Sequence, residues 1–130
     1  MTPAARVSAA IDILADLWAT RRPAAAALKD WGLKHRFAGS ADRAAIAGLV
    51  YDALRRRASA AFVMDDAAPR AVMLGMLRIE RGLDVDAIAH LFDGARFAPP
   101  PLTDSEHNRL AAPDLSGAPA HVAGDYPEWL

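Results

Sequence analysis

The stretch Ser40-Ala41-Asp42-Arg43-Ala44-Ala45-Ile46-Ala47-Gly48-Leu49-Val50-Tyr51-Asp52-Ala53-Leu54-Arg55 decides the fold class. Ile46, Leu49, Val50, Ala53 and Leu54 recur at spacings of three and four, so they form one continuous apolar face on an α-helix. Ser40 suits the N-cap, because its hydroxyl can accept from one of the free N–H groups of a first turn. Working outward, Thr2 and Pro3 open an earlier helix over about 3 to 20, with Val7, Ile11, Leu14 and Trp18 on one stripe. Between the two, Pro23 opens a short alanine-rich helix that contains Leu28 and Trp31, with Gly32 placed to end it and a loop over 33–39. Beyond the third helix an apolar piece runs from Ala58 to Met64. Asp65 or Asp66 then caps a helix bearing Val72, Met73, Met76, Leu77 and Ile79, with Gly82 as its stop. Asp84 starts the next, with Ile88, Leu91 and Phe92 inward and Gly94 at its end. No run alternates with period two for long enough to be a strand, so the expectation is all-α.

After Gly94 the texture changes. Pro99, Pro100 and Pro101 stand in succession, Thr103-Asp104-Ser105-Glu106 is a capping box for one short helix, and a Pro/Gly/Ala-rich segment runs from Ala111 to Gly124. The division expected is therefore a helical domain over 2–93 and an extended connector over 94–130. The connector ends in Tyr126-Pro127-Glu128-Trp129-Leu130, an aromatic cluster that needs a partner surface and is otherwise expected to be partly mobile.

A chain of 130 residues suits one domain, and with 53% hydrophobic and 24% charged residues it has enough apolar surface to fold. The absence of cysteine removes disulfides, thiolate metal sites and a cysteine nucleophile, and fits a cytoplasmic setting. No uncharged run approaches the ~20 residues of a membrane helix, and Asp12 and Asp16 interrupt the apolar run a signal peptide needs. Neither membrane insertion nor export is therefore expected.

Motifs for chemistry are missing. His35, His90, His107 and His121 never pair at helical ligand spacing, so no metal site is expected. Asp84-Val85-Asp86 looks like a metal-holding DxD but sits at a helix start, where acids satisfy orphan N–H groups. No dinucleotide, phosphate-loop or serine-hydrolase signature is present. Trp18 and Trp31 fall at core spacing and read as anchors.

Charge, by contrast, is lopsided. Residues 1–60 hold ten basic side chains against five aspartates, and residues 61–130 hold five arginines against eleven acids. Either the first half faces a polyanion or the halves attract each other. Arg55, Arg56 and Arg57 resemble a nucleic-acid patch, although Asp52 stands one turn before and cations favour a helix C-terminus. Arg6, Arg36 and Arg43 have no local acidic partner in the sequence. Arg36 and Arg43 also flank the Gly39-Ser40 helix start, whose dipole favours a phosphate and whose Asp42 opposes one. The candidate RNA-binding residues are thus Arg6, Arg36, Arg43, Arg55 and Arg56.

Two stretches carry a resemblance: Ala4-Ala5-Arg6-Val7-Ser8-Ala9-Ala10, and Arg36-Phe37-Ala38-Gly39-Ser40-Ala41-Asp42-Arg43 leading into Leu49-Val50-Tyr51-Asp52-Ala53-Leu54-Arg55. They resemble the NusB-like RNA-binding domain at the front of the Sun/Fmu (RsmB-like) family of ribosomal RNA cytosine-C5 methyltransferases. Asp52 stands where that family's pattern has glycine, and the terminal Tyr-Pro-Glu-Trp-Leu is similar to the family's entry into its catalytic half. The resemblance implies a NusB-like compact bundle of about six or seven helices that positions ribosomal RNA. It places S-adenosylmethionine and two catalytic cysteines in a downstream domain. No cofactor and no catalytic residue is therefore expected in this chain, which reads as a fragment or a shortened natural protein. The partners implied are ribosomal RNA and that methyltransferase domain or an equivalent protein.

Two other readings compete. A protein-interaction or antitermination-type module fits the near-zero net charge of −1. A helix-turn-helix DNA binder fits poorly, because Ala44, Ala45, Ala47 and Gly48 offer no base-reading groups, and DNA is not an expected partner.

Overall fold

A computed structural model describes residues 1–129. Leu130, the last residue of the expected terminal cluster, lies outside the described residues. Eight helices and no strand are found among them: α1 Pro3–Thr20, α2 Ala24–Lys34, α3 Ser40–Arg55, α4 Arg57–Met64, α5 Pro69–Ile79, α6 Val85–Leu91, α7 Asp104–Ala111 and α8 Ala120–Ala123. None is long and apolar enough to cross a membrane.

The helix starts follow local chemistry. Thr2 Oγ1 accepts from the Ala5 N–H at 3.1 Å with Pro3 in the first turn of α1, and Asp84 Oδ1 accepts from the Ala87 N–H at 2.8 Å at the head of α6. At α7 the box closes in both directions, Glu106 N–H to Thr103 Oγ1 and Thr103 N–H to Glu106 Oε1. Gly39 rather than Ser40 is the cap of α3, with Ser40 already helical. Likewise α5 starts at Pro69 after Ala68, while Asp66 Oδ1 accepts from the Ala68 N–H and Asp65 is the left-handed cap of α4. Gly32 does not end α2. It lies inside the helix, and the Arg43 stem from α3 crosses beside it, 3.4 Å from where a Cβ would stand, an ordinary contact distance.

Helix α5 is the hub. Its residues 71–77 are all buried, and it packs against α1, α3, α4, α6 and α7. Leu14, Ile46, Val50, Val72, Met73, Leu74, Met76 and Ile88 fill the core at 0–1% exposure. The α4–α5 crossing is set by Gly75, because a Cβ there would stand 2.7 Å from the Ala60 Cα and carbonyl oxygen. Only glycine allows these two backbones to approach so closely.

The segment expected as an extended connector stays on the bundle and adds the eighth helix to the expected six or seven. Leu110 of α7 is fully buried in the same core, and α8 packs on α4. Arg70 holds the proline run: it forks onto both Glu106 oxygens at 2.9 Å and donates to the Pro100 and Pro101 carbonyls at 3.0 and 3.1 Å. Arg78 Nε donates to the Leu110 carbonyl at 2.9 Å, taking one of the unpaired acceptors at the end of α7. These ties join residues far apart in the chain, so local sequence carries no trace of them.

The last of them caps a helix from a distance. Arg56, the residue before α4, offers no side-chain cap. Instead Asp125, 66 residues on, accepts from the Ser59 backbone N–H at 2.8 Å and from the Ser59 hydroxyl at 2.5 Å. Its side chain is only 6% exposed and pairs with Arg56 Nη1 at 3.2 Å. A carboxylate at the first turn of a helix satisfies orphan donors and faces the positive end of the dipole.

Candidate nucleic-acid interface

Residues 1–60 carry ten of the fifteen basic side chains, five of them on α1, α2 and α3, and the fold sorts these by what each one touches. Arg6 on α1 is paired: its Nε and Nη2 meet Asp42 Oδ1 at 2.9 and 2.8 Å, and the amino terminus lies 3.6 Å from the other Asp42 oxygen. The Arg6 hydrogen bond, and after it the amino-terminal charge, holds the Asp42 carboxyl below its ordinary pKa. Arg55 joins Asp52 at 3.0 Å and Glu80, and Arg81 takes the second Asp52 oxygen at 2.8 Å. Arg56 is tied to Asp125, with its buried Nε unbonded and 3.7 Å from Glu80. Three of the five candidate arginines therefore have carboxylate partners supplied by other parts of the fold.

Arg36 and Arg43 differ. Among the described residues neither has a carboxylate within ion-pair distance. Both are exposed, and with Lys29 and Leu33 they line one groove of about 480 Å³ between the C-terminal half of α2 and the start of α3. The loop 35–39 brings Arg36 to α3 Arg43, and the Arg43 stem passes over Gly32, fixing where its guanidinium emerges. Lys34 adds a further charge at the end of α2, with Asp30 one turn before it.

Aromatic rings stand beside these cations. Trp31 and His35 are one helical turn apart and stack at 4.3 Å with an interplanar angle of 11°. Phe37 meets the His35 ring edge-on at 5.9 Å and is 74% exposed. His35 Nδ1–H donates to the Trp31 carbonyl at 2.8 Å, which fixes the ring over the helix end. Trp31 and Trp18 both pack on the core margin, as their spacing implied, but are only half-buried. The two guanidinium groups suit phosphates, and the exposed Phe37 ring, which follows Arg36 in the chain, offers a face to an unstacked base.

Sequence reasoning singled out Arg36 and Arg43 but missed Lys29, Lys34, the Trp31–His35 stack and Phe37. The signal for the stack was present, an aromatic and a histidine four residues apart on one helix. No group of acids or histidines that could hold a metal occurs among the described residues.

Compared with known proteins, the chain matches no family model, no curated protein and no solved structure. The resemblance to NusB-like domains therefore rests on the two quoted stretches alone.

Proposed function

We propose that this helical domain binds RNA through the α2–α3 groove and acts as an accessory domain, presenting ribosomal RNA to a cytosine-C5 methyltransferase domain. The observation that supports it is the pair Arg36 and Arg43, which have no carboxylate partner among the described residues and line one groove with Lys29, with the exposed Phe37 ring following Arg36 in the chain. In this reading the chain supplies binding and orientation, and S-adenosylmethionine and the nucleophile belong to the catalytic domain. A pyrimidine methylation through a cysteine adduct needs a thiolate, and this chain contains no cysteine. The 83% exposed Trp129 is the side chain that fits a protein partner in the same assembly.

Titration of a labelled ribosomal RNA fragment at several salt concentrations tests this. Four phosphate contacts on a single strand correspond to a slope of log affinity on log salt of about −3. Arg36→Ala and Arg43→Ala are each expected to weaken binding and to reduce the magnitude of the slope by about one. Arg6→Ala and Arg55→Ala, whose donors are already engaged, change it less. RNA affinity indifferent to salt and to both groove arginines refutes the reading and favours the protein-interaction module, for which Trp129 is the supporting feature.

A further inference from the structure

The rest of the α2–α3 seam contains a second arginine site that the triplet Arg55-Arg56-Arg57 did not reveal. Where α1 turns into α2, a groove of about 480 Å³ is lined by Trp18, Arg21, Arg22, Leu54 and Arg57. Of the triplet, Arg57 is the member with no carboxylate partner among the described residues. Its guanidinium lies 3.6 Å above the centroid of the Trp18 ring, and that ring is itself pinned by its Nε1–H donating to the Ala67 carbonyl at 2.9 Å. A guanidinium held by its face keeps its edge N–H donors free in a fixed fork, the geometry that phosphate recognition uses. Arg21, the left-handed cap of α1, is exposed and also without a carboxylate partner among the described residues. Arg22 is different, since Asp16 and Asp30 engage it from two sides; with those two acids counted, the groove keeps one net positive charge.

This groove and the Arg36/Arg43 groove are the two ends of one seam. Arg43 and Leu54 lie on the α2-facing side of α3 and line opposite grooves, while Gly32 and Ala24 mark the matching ends of α2. Eleven residues of α3 separate them, about 16 Å at helical rise. That span equals about five nucleotides of a stacked strand. Phe37, 74% exposed, follows Arg36 in the chain, so a strand meets a ring at that end as well as charge at both.

Resting on the RNA-binding reading, we infer that the ligand is a single strand laid along the α2–α3 seam, with phosphates held at one end by Arg36 and Arg43 and at the other by Arg57 and Arg21. Duplex RNA is a worse fit, because its bases are stacked away and the exposed ring on this path would have nothing to stack on.

Oligouridylates, which have little structure of their own, provide the probe: a trimer, an octamer and an octamer paired with its complement, each labelled and titrated with the whole chain. The octamer is expected to bind at least tenfold more tightly than the trimer and than the duplex. Arg21→Gln and Arg57→Ala are each expected to weaken octamer binding about fivefold without changing trimer binding, whereas Arg36→Ala weakens both. Arg21 packs on no core residue, so its variant keeps the test valid if loss of Arg57 disturbs the Trp18 contact; circular dichroism checks the fold of each. Octamer affinity unchanged in both Arg21→Gln and Arg57→Ala, with Arg36→Ala still weakening it, overturns the second site and leaves the RNA-binding reading intact. Equal affinity for octamer and duplex overturns the single strand. No effect of any of these variants overturns the RNA-binding reading itself.

Discussion

Replacing Asp125 with alanine removes a helix cap that comes from the far end of the chain, and the cost follows from what the carboxylate touches. The Ser59 N–H loses its acceptor in a position with no water access, since Ser59 is fully buried, while the hydroxyl can still donate to the Arg56 carbonyl at 3.2 Å. Loss of this cap, which leaves the buried N–H unpaired, costs about 1–3 kcal/mol, and alanine in the left-handed conformation that Asp125 adopts (φ 55°) adds about 1 kcal/mol. The Arg56 pair adds little, because Arg56 is 25% exposed and still has Glu80 nearby. The sum is about 2–4 kcal/mol, a fall in melting temperature on the order of 10 °C for a domain of this size. Urea unfolding followed by far-UV circular dichroism measures it. Asp125→Asn keeps a neutral acceptor and is expected to cost about 1 kcal/mol. Hydrogen exchange gives a second reading: the Ser59 amide is protected in the native chain and exchanges faster in Asp125→Ala. A loss under about 0.5 kcal/mol with an unchanged Ser59 amide refutes the capping argument.

Other variants probe the packing and the pH response. Gly75→Ala drives a methyl into the Ala60 backbone and is expected to cost about 1–3 kcal/mol by denaturant unfolding. Adding Ala60→Gly should recover little of it, because the Ala60 Cα and carbonyl remain 2.7 Å away. Leu110→Ala empties a fully buried site and is expected to cost about 2–5 kcal/mol, whereas a neutral result would show that α7 is not part of the core. Arg70, with help from the Thr103 backbone, holds the Glu106 carboxyl below the usual range against partial desolvation. A depressed folded pKa gives stabilisation that is complete above the unfolded value of about 4.3 and lost as pH falls through the folded one. Thermal melts of the native chain should therefore fall more steeply below about pH 4.5 than those of Glu106→Gln, and parallel curves would contradict this.

Helix existence was legible in the sequence because its causes are local. Apolar spacing of three and four, the Thr2-Pro3 start, the Asp84 cap and the Thr103 to Glu106 box all act within one or two turns, and each is found in place. Gly32 and Ser40 misled for an instructive reason. Glycine stops a helix only where the chain needs to turn, and α2 runs on through Gly32 to Lys34. The course of residues 94–129 was equally out of reach, since a proline run is compatible with leaving the domain or wrapping it. Arg70 and the burial of Leu110 decide in favour of wrapping.

For the candidate interface the division is sharper. Sequence alone determined which residues carry positive charge and that the first half holds most of it. It could not determine which charges are already neutralised. Coulombic partners are chosen by distance in space, and screening makes only near neighbours count. Arg6 meets Asp42 across 36 residues and Arg56 meets Asp125 across 69, pairs that no local pattern announces. Tertiary structure alone left Arg36, Arg43 and Arg57 without a carboxylate partner among the described residues, brought the first two into one groove and laid the third on Trp18, because only packing decides which side chains share a surface.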